Sequence, residues 1–148
     1  LYLPGGYPEL HLETLSQNMS MRQAICEHIN TNKPVLAECG GMLYLCRTLT
    51  DKHGQHAEMC GVLATEAKLQ ARLTALALQQ VTLDNNTLRG HTYHHSLLEN
   101  QPDAIVYAEC PNGNNVSEAV FQQQRLTASY IHFYFPSAPE LIARWFIP

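Results

Sequence analysis

Cys39 stands at the centre of Ala37-Glu38-Cys39-Gly40-Gly41, with the apolar run Val35-Leu36-Ala37 before it and a second apolar segment, 42–49, after it. A thiol between a short strand and the first turn of a helix is placed to act as a nucleophile. Such a turn lifts its central side chain out of the sheet and accepts only small neighbours, a demand that Ala37 and Gly41 meet. The helix starting beneath the thiol offers free N–H groups to an oxyanion, and its positive end lowers a thiol pKa. The competing reading is a tight Gly-Gly turn that carries an inert cysteine.

A cysteine nucleophile needs a histidine within hydrogen-bond reach, which need not be near it in sequence. His132 follows the strand-like segment 126–131 and is expected on a loop at that strand's carboxyl end, where open α/β sheets bind ligands. His91, His94 and His95 lie close together on another strand-like segment, with His91 and His95 on one face and His94 on the other. Their spacing resembles half of a metal site, but no nearby thiol or carboxylate completes it, so no metal is expected. The five cysteines include no C-x-x-C pair and are odd in number, which argues against a disulfide scaffold or a zinc finger. Cys26, Cys46, Cys60 and Cys110 read as small buried hydrophobes, and a reducing cytoplasm suits them.

The elements that must position these groups can be read coarsely. Leu1-Tyr2-Leu3 reads as a buried strand running into the Pro4-Gly5-Gly6 turn. A helix is predicted over 8–15, and a second begins at an Asn18 or Ser20 cap with Met21, Ile25 and Ile29 stacked on one face. A strand over 35–37, the elbow, and a helix over 42–49 follow. Segment 67–77 is helical by propensity or a strand by alternation, and the strand reading is preferred. Strands over 81–83 and 88–94 flank Asp84-Asn85-Asn86. Further strands are predicted over 105–108, 116–121 and 126–131, with a closing helix over 139–146. This order implies an α/β domain with an antiparallel extension.

The chain has 148 residues, 45% of them hydrophobic and 15% charged, with mean hydropathy −0.20. That fits one globular domain and excludes a disordered chain or a bundle of membrane helices. Nine Lys+Arg against 13 Asp+Glu give a formal charge of −4, which argues against nucleic acid as the main partner. The sequence opens inside an apolar run, without an initiator Met or basic leader, so it is expected to be a fragment whose preceding strands are missing.

Four blocks occur in order: Leu3-Pro4-Gly5-Gly6-Tyr7-Pro8-Glu9, Ala37-Glu38-Cys39-Gly40-Gly41-Met42, Arg89-Gly90-His91-Thr92-Tyr93-His94-His95-Ser96 and Ala128-Ser129-Tyr130-Ile131-His132-Phe133-Tyr134-Phe135. Together they resemble the class I glutamine amidotransferase domain of cobyrinic acid a,c-diamide synthases, a cobalamin-biosynthesis family. The blocks span nearly the whole chain. The resemblance implies a flavodoxin-like class I amidotransferase fold of three layers, with a mostly parallel sheet and an antiparallel extension.

The resemblance also implies glutamine hydrolysis. Cys39 would form a γ-glutamyl thioester, His132 would shuttle the proton, and N–H groups of Gly5, Gly6 and Gly40 would hold the oxyanion. Ammonia would pass to an ATP- and Mg²⁺-dependent synthetase half, absent from this chain, which amidates the a and c carboxylates of the corrin. The Arg89–Ser96 block is assigned by the resemblance to the active-site mouth or the synthetase contact, with His91 and His94 as substrate or domain contacts. Two departures stand out. Tyr134 occupies the position where full triads carry the Glu of His-x-Glu, as in other cobyrinate and cobyrate synthases. Thr92 stands where relatives often carry an acidic residue. Rival readings are a cobyric-acid-synthase, cell-wall or nickel-tetrapyrrole amidotransferase, a flavodoxin-like redox or stress protein with an elbow cysteine, and a non-catalytic binding module.

Overall fold

Val35–Glu38 and Leu126–Ser129 are buried at every position, the mark of strands covered on both faces. They form the middle of the main sheet in the computed structural model, which describes residues 1–147. In chain order the elements are β1 (Tyr2–Leu3), a 3₁₀ turn (Pro8–His11), α1 (Leu12–Gln17), α2 (Met19–Asn30), β2 (Val35–Glu38), α3 (Gly40–Leu45), β3 (Thr48–Thr50), β4 (His56–Glu58), β5 (Glu66–Leu69), β6 (Ala75–Leu83), β7 (Asn86–His94), β8 (Ser96–Glu99), β9 (Val106–Tyr107), β10 (Ala119–Gln123), β11 (Leu126–Ser129), β12 (His132–Tyr134), a second 3₁₀ turn (Phe135–Ser137) and α4 (Pro139–Phe146).

The main sheet has the order β1-β2-β11-β10-β9. Its β1, β2 and β11 run parallel, and β10 and β9 extend it antiparallel. Alternate β2 side chains feed two cores. Val35 and Ala37 pack with Ile25 and Ile29 of α2 and with Met42 and Leu45 of α3. Leu36 packs on the other side with Ile131, Phe133 and the α4 residues Leu141 and Ile142. The result is a three-layer α/β arrangement, as the resemblance implies, with two smaller sheets, β12-β7-β6 and β4-β3-β5-β8, attached.

Local chemistry explains several boundaries. The Asn18 side chain accepts a hydrogen bond from the Met21 N–H at 3.1 Å and so caps α2. Asp84 and Asn85 adopt φ of 49° and 61°, the left-handed pair that closes a two-residue hairpin between β6 and β7. Segment 67–77 is not helical: 67–69 belong to β5, 75–77 to β6, and 70–74 form the bend between them. The helix expected over 42–49 ends at Leu45, because Thr48–Thr50 is drawn into a sheet between β4 and β5. β4 had no clear alternation to announce it. A second correction concerns His132. It opens β12 rather than sitting on a loop, because the chain leaves the main sheet after Ser129 and pairs antiparallel with β7.

Candidate active site

The elbow forms because β2 ends against β11 while the chain must reverse into α3. The Cys39 N–H donates to the Ser129 carbonyl at 2.8 Å, and Cys39 adopts φ 44°, ψ −110°. A side chain in that region of backbone space carries roughly 1–3 kcal/mol of strain, which the surrounding packing must hold in place. Gly40 and Gly41 let the neighbouring loop approach. A Cβ on Gly40 would lie within 2.7 Å of the Gly6 backbone, and one on Gly41 within 2.8 Å of the Leu3 side chain. The pairing of β1 with β2 thereby sets the Gly5-Gly6 turn directly over the start of α3.

His132 reaches the same place from the other sheet. Cys39, His132, Gly5 and Gly6 line one cavity of about 330 Å³, together with Tyr2, Glu9, Glu38, Tyr93, His94 and His95. The Cys39 Sγ lies 3.8 Å from the Tyr93 carbonyl oxygen. The His132 ring rests on Gly5 and stacks on His91, its cross-strand neighbour, with centroids 5.0 Å apart and planes at 18°. Among the described residues neither of its ring nitrogens has a hydrogen-bond partner. Tyr134 is exposed beside it.

Electrostatics set the resting protonation states. Burial pushes the Cys39 thiol up to about 11; the Gly40 N–H works against this, and Glu9, Glu118 and Glu38 add to it. The expected lowering by the helix end is therefore outweighed, since α3 has only six residues and the thiol is largely desolvated. Burial holds the His132 imidazole below its ordinary value, with the positive potential of His91 and His94 adding to the effect. At neutral pH Cys39 therefore rests as the thiol and His132 as the neutral imidazole.

The other histidines differ in role. His91 is exposed and reaches the site only through its stack on His132. His94 is buried, with Nδ1 2.9 Å from the Ser96 carbonyl oxygen and Nε2 2.8 Å from Glu118 Oε1. Both ring nitrogens are thus taken up by protein partners, while the residue lines the cavity. Thr92 donates to the same Glu118 oxygen at 2.8 Å. An acidic residue at position 92 would set a second carboxylate against Glu118. Glu118 and Glu38, both buried, went unassigned in the sequence reading. Glu38 carries one usable signal, a carboxylate inside an otherwise apolar strand, while Glu118 lies in the segment predicted as a strand over 116–121, directly before β10, with nothing in its neighbours to single it out. The five cysteines are free. Burial raises Cys46 and Cys60 to about 12, which leaves them unreactive.

Comparison with known proteins identifies the family. Residues 1–140 match the family model described as CobB/CobQ-like glutamine amidotransferase domain. A hydrogenobyrinate a,c-diamide synthase of Stutzerimonas stutzeri is 58% identical over 139 residues, covering 94% of this chain and 32% of the relative. One from Pseudomonas aeruginosa is 55% identical over all 148 residues, covering 34% of its own length. A cobyrinate a,c-diamide synthase of Herminiimonas arsenicoxydans is 37% identical, again over the whole chain and 34% of the relative. The chain thus spans about a third of the length of the relatives it matches.

Proposed function

Given that the chain belongs to the CobB/CobQ-like glutamine amidotransferase domain family, we propose that it is the glutaminase part of a longer a,c-diamide synthase and that Cys39 and His132 are its catalytic pair. The observation that carries this reading is one cavity lined by a strained elbow thiol, a neutral imidazole and the Gly5-Gly6 turn. Its size suits a single amino acid.

Glutamine enters with its side-chain amide against Cys39. His132 takes the thiol proton as sulfur attacks the amide carbon. The N–H groups of Gly40 and of the Gly5-Gly6 turn receive the developing oxyanion. The intermediate collapses as the C–N bond breaks, and His132 returns the proton to the leaving nitrogen, releasing ammonia and a γ-glutamyl thioester. Water, deprotonated by His132, then cleaves the thioester to glutamate and restores the thiol.

Ammonia is consumed by the remainder of the longer protein, to which we assign ATP and Mg²⁺ and amidation of the corrin a and c carboxylates. Hydrogenobyrinate is the preferred corrinoid, because two relatives above 50% identity carry its name. We assign the partner surface to the exposed face of β6-β7-β12. Leu76 pairs with Tyr93, Leu78 with His91, and Arg89 with Tyr134, so these exposed side chains share one face of β6-β7-β12 with His132. An apolar face bordering the cavity mouth suits the synthetase part of the same protein. Among the described residues no helix is long and apolar enough to cross a membrane, and we place the enzyme in the cytoplasm, where its free thiols stay reduced.

The test is Cys39→Ala in the full-length protein. Glutamine-dependent amidation is expected to vanish while free ammonia still supports the reaction. Retained glutamine-dependent activity would remove the thioester mechanism.

A further inference from the structure

Glu38 is a carboxylate where a strand interior ordinarily holds an apolar side chain. It is 2% exposed, and β2 is buried at all four positions. An ionisable group so placed costs several kcal/mol unless donors converge on it. Two do. The Phe133 N–H donates to Oε1 at 3.0 Å, and the Tyr2 hydroxyl donates to Oε2 at 2.7 Å. Among the described residues no Lys or Arg pairs with it.

The covalent neighbours of these partners give the contact its meaning. Glu38 directly precedes Cys39, and Phe133 directly follows His132. One hydrogen bond therefore ties the side chain of the residue beside the thiol to the backbone beside the imidazole, across 95 sequence positions. Tyr2 adds β1, the strand that leads into the Gly5 turn on which the imidazole rests. The ring itself has no hydrogen bond to orient it. Its place depends on the His91 stack, the Gly5 contact and the backbone at 132–133.

We propose that Glu38 is the positioning residue for His132: its carboxylate, held between the Tyr2 hydroxyl and the Phe133 N–H, fixes the start of β12 so that the imidazole faces the Cys39 thiol. The proposal rests on the reading of Cys39 and His132 as the catalytic pair. Glu38 touches no reacting atom and acts through the backbone.

The test uses the full-length protein with hydrogenobyrinate, ATP and Mg²⁺, and compares Glu38→Met with Glu38→Gln. Methionine fills the same apolar space without an acceptor, so the variant is built to fold while leaving the Phe133 N–H without its partner. Glutamine keeps an amide oxygen for that N–H. Glu38→Met is expected to lower glutaminase kcat about a hundredfold, the effect of a catalytic group misplaced by ~1 Å, with KM within about threefold. Its ammonia-dependent amidation stays near the parental rate. Glu38→Gln is expected to restore kcat to within about fivefold of parental. The proposal is overturned if Glu38→Met keeps parental kcat, if it loses both activities equally, or if Glu38→Gln is as impaired as Glu38→Met. A Cys39→Ala protein that keeps glutamine-dependent activity strikes the underlying catalytic pair instead. With that activity lost in Cys39→Ala, an unimpaired Glu38→Met strikes the positioning role alone.

Discussion

The imidazole of His132 occupies the space where a side chain at residue 5 would project. A Cβ on Gly5 would meet the ring, with Nδ1 at 3.0 Å. The glycine and the histidine are thus one packing unit, assembled from the first and last parts of the chain.

Gly5→Ala should move the ring, because a side chain yields more readily than backbone. Glutaminase activity is expected to fall about a hundredfold while the melting temperature changes little. Gly40→Ala differs, since its Cβ would meet the Gly6 backbone, which cannot step aside. It should lose activity and also roughly 1–3 kcal/mol of stability. Thermal melts beside glutamate release separate the two; equal melting temperatures would contradict this account.

The strain at Cys39 predicts an inverted order among inactive variants. Glycine adopts φ 44° without penalty, whereas alanine keeps the strain. Cys39→Gly should therefore be more stable than Cys39→Ala by about 1 kcal/mol, opposite to the usual ranking in regular structure. Denaturant unfolding of the two proteins measures the difference.

The pH profile follows from the resting pair. His132 acts as a base only when neutral, and its pKa lies below the ordinary value near 6.5. As pH falls, kcat/KM for glutamine should hold past that value and drop only at more acid pH. Because the thiol is pushed up to about 11, alkylation of free Cys39 by iodoacetamide should keep rising through alkaline pH. A plateau near neutrality would show a preformed thiolate instead.

The His94–Glu118 pair predicts a large coupling. Glu118→Ala strands a buried imidazole and the Thr92 hydroxyl, and should cost roughly 3–5 kcal/mol. The His94→Leu, Glu118→Leu double variant removes both polar groups and should cost less than the sum of His94→Leu and Glu118→Leu measured singly. Additive losses would mean the two groups do not act as a pair.

Much of this was legible in the sequence because it is local. The Gly40-Gly41 pair, the strand before Cys39 and the Asp84-Asn85 hairpin each carry their geometry in neighbouring residues, since small side chains and left-handed φ act over one turn. The four ordered blocks named the family for the same reason. Tertiary structure decided what depends on register between strands far apart in the chain. It moved His132 from a loop onto β12, stacked it on His91, buried His94 against Glu118 and set Glu38 on Phe133. A side chain's partner across a sheet is fixed by which strands pair and in what register. A one-residue slip would turn His132 to the opposite face, and no feature of the segment around it records that choice.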